Sequence, residues 1–468
     1  MKEFKILAPN GIVGYGFPED SFRRGMEQDP DLIACDAGST DPGPYYLGSG
    51  QPFTSRGAVK RDLEIMLEGA LSHHIPMVIG SCGGSGANPH LSREREILHE
   101  IAKEKGYSFK VAFIPSELDK NYVAEEFRKG NVVSLDSAPE ITEQDIRDTV
   151  HIVAQMGLES IIRALDEGAQ VVMCGRAYDP SSFAAPAVRA GFDEAYATHC
   201  GKLLECGCIC AVPGSASDVM MGYVYEDSFA VEPCAPGRVC TTTSVAAHTL
   251  YEKANPYLLP GPGGTLDLRD CTFEQETERR VRVRGSRFIP QSRPNVKLEG
   301  AKLVGYRTVS VCGSRDPYFI RELDNILEGV RAQVTDNFRN SGMEYHLDYI
   351  VYGRNGVMGD LEPDKSVDGA KEVGIVIDVV ADTQENADTV CSTARAMMLH
   401  YGYPNRVATA GNLAFPFSPS DFHVGAVYNF SAYCLLENRH FEELFKPVVY
   451  DIVRGIPGNN EPLTLSRM

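Results

Sequence analysis

The sequence predicts an α/β protein with an N-terminal, Rossmann-like domain built on a parallel sheet and a C-terminal ferredoxin-like α+β domain. Over about the first 200 residues, short apolar runs alternate with amphipathic helical stretches, as they do in parallel sheets. The last third follows the order strand, helix, strand, strand, helix, strand, which is typical of ferredoxin-like sandwiches. We therefore expect an α/β domain over residues 1–300, a ferredoxin-like domain over 301–430 and a C-terminal extension over 431–468.

Each predicted element rests on its local pattern. The strands predicted for the first domain are 4–9, 31–36, 75–82, 109–115 and 169–175, separated by helices predicted over 18–28, 56–74, 91–106 and 141–168. Residues 200–300 are less regular, and we expect a mixed or β-rich insertion there. The last third contains predicted strands at 306–313, 345–353 and 372–381, an extended run at 408–417, and helices at 316–339 and 383–402.

Four of the predicted strands lead into loops rich in Gly, Ser, Thr, Asn or Asp, at residues 10–16, 37–50, 80–90 and 175–182. In open parallel sheets the loops that follow the strands gather at one edge, where ligands bind. These loops are therefore expected to form one cleft although they are far apart in sequence.

The composition excludes several classes of function. The formal net charge is −19, with 64 acidic against 45 basic residues, which disfavours binding to nucleic acid and to anionic membranes. No stretch approaches the ~20 apolar residues of a membrane helix, and no secretory signal is recognisable. Thirteen cysteines spread through apolar runs suggest reduced, buried thiols. We expect a cytoplasmic protein.

The loop "CDAGSTDPGPYYLGSG" supplies the first candidate residues: Asp36 and Asp41 as catalytic groups, and Ser39 and Thr40 as substrate-binding groups. The two aspartates could exchange protons or hold a divalent cation such as Mg²⁺ or Mn²⁺; no motif identifies a cofactor. The alternative is a turn in which these side chains cap their own backbone.

The loop "GSCGGSGANPH" resembles a cradle for a phosphate or carboxylate, although its spacing is not that of a Walker loop. Its candidate substrate-binding residues are Ser81, Gly83, Gly84, Ser85 and Asn88. Cys82 could act as a nucleophile and His90 as a base, but a buried structural role is favoured for both.

The segment "CGRAYDPSSFAAP" contributes Arg176, a candidate clamp for a substrate carboxylate, and Asp179, either an acid/base group or a helix cap. His199, in "THCGKLLECGCIC", could share a helical face with Lys202 and is a further catalytic candidate. The alternating cysteines of that segment favour a strand over a zinc site. His248 could be oriented by Glu252, or could be a satisfied histidine of an N-capped helix.

Seven segments together resemble the acyclic terpene utilisation AtuA family: "CDAGSTDPGPYYLG", "GRAYDPSSFAAP", "HCGKLLECG", "SVAAHTLYEKANPY", "PGGTLDL", "RVRVRGSRF" and "TAGNLAFPF". The resemblance covers about residues 5 to 430. It implies an α/β N-terminal portion and association with a small ferredoxin-like companion, either fused or separate. It carries over no established catalytic residues.

These residue types fit an enzyme acting on a small carboxylate or its CoA thioester, most simply a hydro-lyase, because dehydration needs an anion clamp, a base and an acid. The alternatives are an isomerase or epimerase that uses the same groups, or a non-catalytic ligand-binding subunit. We expect a homo-oligomer, with the ferredoxin-like domain available to dock another copy or a companion protein.

Overall fold

A computed structural model describes residues 2–136, 138–251, 254–364, 370–407, 409–438 and 440–458. The chain divides into two compact units: unit 1 comprises Met1–Lys302 and Phe430–Met468, and unit 2 comprises Leu303–Asn429. None of the helices in these described ranges is both long enough and apolar enough to cross a membrane.

The strands of the described residues are β1 (Phe4–Ala8), β2 (Leu32–Asp36), β3 (Met77–Gly80), β4 (Phe109–Ile114), β5 (Val132–Ser134), β6 (His151–Ala154), β7 (Val171–Cys174), β8 (Ala211–Val212), β9 (Met220–Val224), β10 (Phe229–Pro233), β11 (Val239–Cys240), β12 (Leu258–Gly261), β13 (Gly264–Asp267), β14 (Thr272–Gln275), β15 (Val281–Arg284), β16 (Arg287–Pro290), β17 (Asn295–Ser314), β18 (Tyr345–Tyr352), β19 (Val373–Ala381), β20 (Asp421–Glu437), β21 (Val448–Val453) and β22 (Ile456–Pro457). The helices are α1 (Glu19–Met26), α2 (Pro44–Ser49), α3 (Arg56–His73), α4 (Asn88–Lys105), α5 (Lys120–Arg128), α6 (Glu143–Asp148), α7 (Glu159–Asp166), α8 (Ser181–Arg189), α9 (Glu194–Leu204), α10 (Thr242–Leu250), α11 (Pro317–Arg321), α12 (Leu323–Phe338), α13 (Gln384–His400) and α14 (Phe441–Leu444).

Unit 1 is built on a large mixed sheet, which in the described residues has the order β14-β15-β10-β9-β1-β2-β3-β7-β4-β21-β22. Its centre, β1-β2-β3-β7-β4, is parallel, and antiparallel strands extend it on both sides. The predicted α/β class with parallel strands is therefore confirmed. The irregular segment expected at 200–300 supplies four of the flanking strands, so much of it continues the main sheet.

Two apolar layers cover the faces of this sheet. Successive side chains of a strand point to opposite faces, so Ile6 packs in one layer and Leu7 in the other. Both side chains are fully buried, and burying a side chain of this kind stabilises the fold by roughly 1.5–3 kcal/mol. Because the central strands are covered on both faces, they are mostly apolar; the exceptions before the strand ends are Lys5 of β1 and Lys110 of β4, each the second residue of its strand.

The structure corrects three predictions about individual elements. The single helix predicted over 141–168 is interrupted by β6, because the β-branched run around Ile152 favours a strand that pairs with β17. The cysteines of 206–210 lie in turns after α9, not on a strand, and Cys208 and Cys210 are buried there. The described part of the predicted extended run at 408–417 is irregular; the strand begins at Asp421, after two prolines, and Ala408 lies outside the described residues.

Unit 2 contains the second half of β17, then α11, α12, β18, β19, α13 and the first half of β20. β17 and β18 both pair antiparallel with β19, and β20 lies on the other side of β17. One apolar layer joins the sheet to the two long helices, with Ile326 and Val330 of α12 and Val390 and Ala394 of α13 at its centre. This unit has a hydrophobic core of its own.

Candidate functional site

The glycine-rich loops that follow the parallel strands of unit 1 contact one another. An added Cβ on Gly38 would lie 3.0 Å from the Cα of Gly84, and one on Gly86 would overlap the backbone of Arg176. The amide of Val13 donates to the carbonyl of Asp36 at 2.9 Å, so the loop after β1 joins the same group. Glycine is needed at Gly86 for two reasons, since its φ is +69° and no side chain fits.

A cleft of about 580 Å³ opens beside these loops. That volume is typical of pockets for small molecules. Its described lining consists of Asp41, Leu135, Gln155, Arg176, Tyr178, Asp179, Ala254, Pro260, Gly261, Pro262, Gln291, Asn295, Lys297, Tyr433 and Leu435. The cleft thus combines charged groups from the strand-end loops with amides and phenols from later parts of unit 1.

Arg176 is the most strongly held charged group of the cleft. Its side chain is 3% exposed; Nε donates to Oε2 of Glu299 at 2.7 Å, and Nη1 donates to Oδ1 of Asp179 at 2.8 Å and to Oγ of Ser81 at 3.1 Å. Lys297 pairs with the other oxygen of Glu299 at 2.8 Å. Burial alone would raise the pKa of Glu299, but these two cations outweigh it and lower that pKa to about 2. Arg176, predicted to clamp a substrate carboxylate, is therefore engaged by carboxylates of its own chain.

Asp36 ends β2 and is almost fully buried, with 5% of its surface exposed. Burial raises the pKa of its carboxyl well above the usual range, Asp179 and Glu205 raise it further, and Arg176 opposes them. Oδ2 accepts a hydrogen bond from the amide of Gly38 at 3.3 Å, whereas Oδ1 has no hydrogen-bond partner among the described residues. Asp36 is thus a buried carboxyl with a raised pKa beside the ion pair of Arg176 and Asp179.

The other acidic candidates of these loops lie nearer the solvent. Asp179 is 26% exposed and lines the cleft; the Asp179 side chain does not cap α8. Asp41 is exposed at the cleft wall, and its Oδ2 accepts from the hydroxyl of Ser39 at 2.7 Å. The amide of Asp41 donates back to that hydroxyl at 3.1 Å. Ser39 therefore caps the backbone of its own loop, which was the alternative to a substrate-binding role. Thr40 is buried in the same turn.

The loop over 80–90 is buried against its neighbours. Gly83 and Gly84 have positive φ angles, which lets the chain turn tightly before α4. Ser85 and Asn88 are buried, and no described residue hydrogen-bonds to the hydroxyl of Ser85 or to the amide atoms of the Asn88 side chain. Such unsatisfied polar groups are uncommon in folded proteins, but no residue of this loop belongs to the described lining of the cleft.

Cys82 and His90 have structural roles, as was favoured from the sequence. Burial raises the pKa of the Cys82 thiol well above its usual value, so the nucleophilic thiolate is not available. Nδ1 of His90 accepts from the amide of Ala87 at 3.2 Å, and Nε2 lies 2.9 Å from the carbonyl of Gln51. Burial lowers the pKa of His90 to about 4, so this histidine is neutral.

His199 and His248 lie outside the cleft lining. His199 is buried, with Nδ1 2.8 Å from the Ser286 hydroxyl and Nε2 3.1 Å from that of Thr249; burial and Lys202 lower its pKa to about 3. His199 is therefore a buried histidine with a hydrogen-bond partner at each ring nitrogen. His248 stacks on Tyr251, and the same two causes lower its pKa to about 4. Glu252, its predicted partner, lies outside the described residues.

Lys202, in the last turn of α9, forms a buried ion pair with Glu205, the residue that follows the helix. Across the described residues, no group of three or more His, Cys, Asp or Glu side chains is arranged to hold a metal ion. In the loop after β2, Asp36 is buried whereas Asp41 is exposed, which agrees with the lack of such a group there.

The family model for the acyclic terpene utilisation family protein AtuA matches residues 56–220 and 228–412, most of the chain. The chain belongs to the AtuA family. The resemblance seen in the sequence motifs is thereby confirmed. The chain matches no curated protein and no solved structure. Both matched regions contain residues of the cleft of this AtuA-family chain, including Arg176 and Asp179 in the first and Lys297 in the second.

The sequence reasoning missed several residues of this AtuA-family cleft. Glu299, 1% exposed, and Lys297 are two residues apart on β17 and both engage the Arg176 network. Tyr433, on β20, contacts Lys297 through a 2.6 Å hydrogen bond and a ring contact at 4.1 Å. The only local signal was two opposite charges at i and i+2, on either side of the buried Leu298. Such a pair marks one face of a strand as polar, but does not identify its partner.

Proposed function

We propose that this AtuA-family chain is an enzyme of small carboxylic acid or acyl-CoA catabolism, most plausibly a hydro-lyase, with its site at the C-terminal ends of the parallel strands of unit 1. The observation that carries the proposal is the contrast between Asp36 and Asp179. One carboxyl is buried and has a raised pKa, and the other faces the cleft in an ion pair with Arg176. Two carboxyl groups in such different environments are suited to act as acid and base.

Dehydration of a hydroxy acid or its thioester needs both of these roles. A base removes the proton next to the carbonyl group, a carbon–carbon double bond forms, and the hydroxyl leaves as water after it takes a proton from an acid. Asp179 is the base in this scheme and Asp36 is the acid. The reaction is redox-neutral, so atoms and electrons balance without an external oxidant.

Lys297, another residue of the cleft lining, supports the same scheme. It is held by Glu299 and by the hydroxyl of Tyr433, both within 2.8 Å. A fixed positive charge of this kind stabilises negative charge that develops on a carbonyl oxygen when the neighbouring proton is removed.

The test is a screen of purified protein against hydroxy acids and their thioesters, with product analysis by mass spectrometry. Loss of 18 mass units is expected for at least one substrate. Asp36→Asn and Asp179→Asn should each lower kcat by about 10²- to 10⁴-fold with little loss of thermal stability. Asp166→Asn, which changes an exposed carboxyl paired with Arg189, is the matched control and should retain full activity.

Other outcomes favour the alternatives. Exchange or inversion at the carbon next to the carbonyl, with no loss of water, would identify an isomerase or epimerase on the same substrate class. A chain that is inert alone but active with a small companion protein would identify a ligand-binding subunit. Stoichiometric Mg²⁺ or Mn²⁺ in the purified protein would assign the aspartates to a cation.

We also infer that unit 2 is a ferredoxin-like domain that docks a second copy or a small companion. The support is the strand–helix–strand–strand–helix–strand order and the sheet order β18-β19-β17-β20, with antiparallel pairing on both sides of β19. A cytoplasmic location is proposed because no disulfide joins the cysteines in the described part of the chain. Light scattering of the purified chain tests for a homo-oligomer.

A further inference from the structure

Three residues of the cleft lining, Arg176, Lys297 and Tyr433, keep hydrogen-bond donors that the rest of the chain does not use. Lys297 contacts Glu299 at 2.8 Å and donates to the hydroxyl of Tyr433 at 2.6 Å, so one of its three N–H groups has no acceptor in the described residues. The Tyr433 hydroxyl accepts that bond, and its own proton has no described acceptor. Nη2 of Arg176 donates to no described residue, and it is not one of the completely buried polar atoms without a partner. These donors are therefore available to a ligand in the cleft.

The charges of the cleft do not favour an anion. Glu299 compensates both Arg176 and Lys297, and Asp179 forms a second ion pair with Arg176. Asp41 adds a further carboxyl to the lining. Among these described groups, three carboxylates stand against two cations, which leaves an excess of one negative charge. A substrate carboxylate in the cleft would meet this excess, and the juxtaposition of like charges disfavours binding.

We propose that the cleft binds the acyl group of its substrate as a neutral thioester and excludes the free carboxylate. A thioester carbonyl accepts hydrogen bonds from the donors of Lys297, Tyr433 and Arg176, and it requires no uncompensated positive charge. A thioester also accommodates the negative charge that develops when the neighbouring proton leaves, whereas a carboxylate is charged beforehand. This inference deepens the proposed function, on which it rests for the reaction, by naming the thioester as the substrate class.

The size and the lining of the cleft agree with such a ligand. Its volume of about 580 Å³ lies in the range of pockets for drug-sized molecules, which are larger than a short-chain acid. Leu135, Leu435, Pro260 and Pro262 supply apolar surface in the lining. That surface is suited to an alkyl chain and to the sulfur of a thioester.

The test separates the charge of the ligand from its size. Acetate, butyrate, 3-hydroxybutyrate and hexanoate are each compared by calorimetry, at about pH 7.5, with the primary amide and the N-acetylcysteamine thioester of the same acyl group. All four acids are ionised at this pH, and an amide has nearly the size and shape of a carboxylate without its charge. At least one acyl group should bind about tenfold or more tightly as the amide and as the thioester than as the free acid.

A gain of binding is the decisive result. Asp179→Asn removes one of the carboxylates that compensate Arg176, so the affinity for the free acid should rise about tenfold while that for the amide changes less than about twofold. Asp41→Asn, at an exposed position where folding is not at risk, should act in the same direction. The matched control is Asp166→Asn, an exposed carboxyl outside the described lining, which should change neither affinity.

A further variant tests the donors instead of the charge. Tyr433→Phe removes one hydroxyl and retains the ring that contacts Lys297 at 4.1 Å. The affinities for the amide and the thioester should each decrease about fivefold, as expected for the loss of one hydrogen bond. Tyr257→Phe, which changes an exposed tyrosine outside the described lining, should leave both affinities unchanged.

The possible results decide separately on the ligand and on the reaction. A preference for the neutral probes without dehydration of any of them supports the thioester cleft and contradicts the hydro-lyase. Dehydration of a free acid at least as fast as that of its thioester retains the hydro-lyase and overturns the thioester cleft. Equal binding of acids and amides, failure of every thioester to bind, or an unchanged affinity for the acid in Asp179→Asn also overturns it.

Discussion

Arg176 and Glu299 form a buried ion pair, Nε to Oε2 at 2.7 Å, although 123 residues separate them in the chain. Glu299 also holds Lys297, so one carboxylate compensates two cations. The pair connects the loop after β7 to β17 across the floor of the cleft.

Removing the charge of Glu299 should be costly. In Glu299→Gln, Lys297 and part of the charge of Arg176 are left without compensation in a buried site, and we expect a loss of about 3–5 kcal/mol in the free energy of unfolding. The control is Asp166→Asn, which breaks an exposed pair with Arg189 and should cost less than about 1 kcal/mol. Urea denaturation followed by circular dichroism measures both. Equal losses would contradict the account of the network.

Alanine substitutions at two glycines distinguish the energetic cost of backbone strain from that of close packing. Gly86 and Gly106 have nearly the same φ, +69° and +67°, but a Cβ on Gly86 would overlap Arg176, whereas nothing lies within 4 Å of one on Gly106. Gly106→Ala should cost about 1 kcal/mol from strain alone. Gly86→Ala should cost more than about 3 kcal/mol and weaken ligand binding, because the loops must separate. Similar thermal shifts for the two variants would argue against close contact between these loops.

The buried carboxyl of Asp36 predicts a specific pH dependence. Its folded-state pKa is raised above the unfolded value, so the stability it contributes is fully present below about pH 4 and is lost as the pH rises through the raised pKa. Asp36→Asn should remove this loss, which is about 1.4 kcal/mol per pH unit within that window. The measurement is the difference in unfolding free energy between variant and wild type from pH 4 upwards. Parallel pH profiles for the wild type and Asp36→Asn would contradict the raised pKa of Asp36.

Three buried histidines predict a pH dependence of stability opposite in sign to that of Asp36: the free energy of unfolding should decrease as the pH is lowered. The pKa values of His90, His199 and His248 are lowered to about 4, 3 and 4 in the folded state. Between about pH 6.5 and pH 4, protons therefore bind to these histidines mainly in the unfolded state. Stability should fall as the pH decreases from about 6.5 to 4, by up to about 1.4 kcal/mol per pH unit for each histidine. His199→Gln should reduce the slope of unfolding free energy against pH by about 1.4 kcal/mol per pH unit, the contribution of one proton. His73→Gln, at an exposed position, should leave it unchanged.

Much of the fold of unit 1 could be predicted because its parallel strands are short apolar runs bounded by turn residues. The convergence of the loops followed from a topological rule that needs no side-chain detail. β6 was missed because four residues between two amphipathic helices give too short a pattern to distinguish strand from helix. The role of Glu299 could not be predicted, since nothing local in β17 indicates a partner 123 residues earlier.

The candidate site shows the same limit. Asp36, Asp179 and Arg176 could be selected because they follow strands, but the sequence could not show that Arg176 is already neutralised within the chain. Nor could the sequence show that Asp36 is almost fully buried whereas Asp179 lines the cleft.

Unit 1 is assembled from two separated parts of the chain, and β21, from its last part, pairs with β4 in the main sheet. During synthesis, the edge of β4 therefore remains unpaired until the ribosome has translated all of unit 2. An unpaired strand edge is a template for pairing with another chain, so that edge is a site for aggregation during synthesis. For the same reason, a stop codon shortly before Val448 would remove few residues but leave the largest sheet of the molecule open.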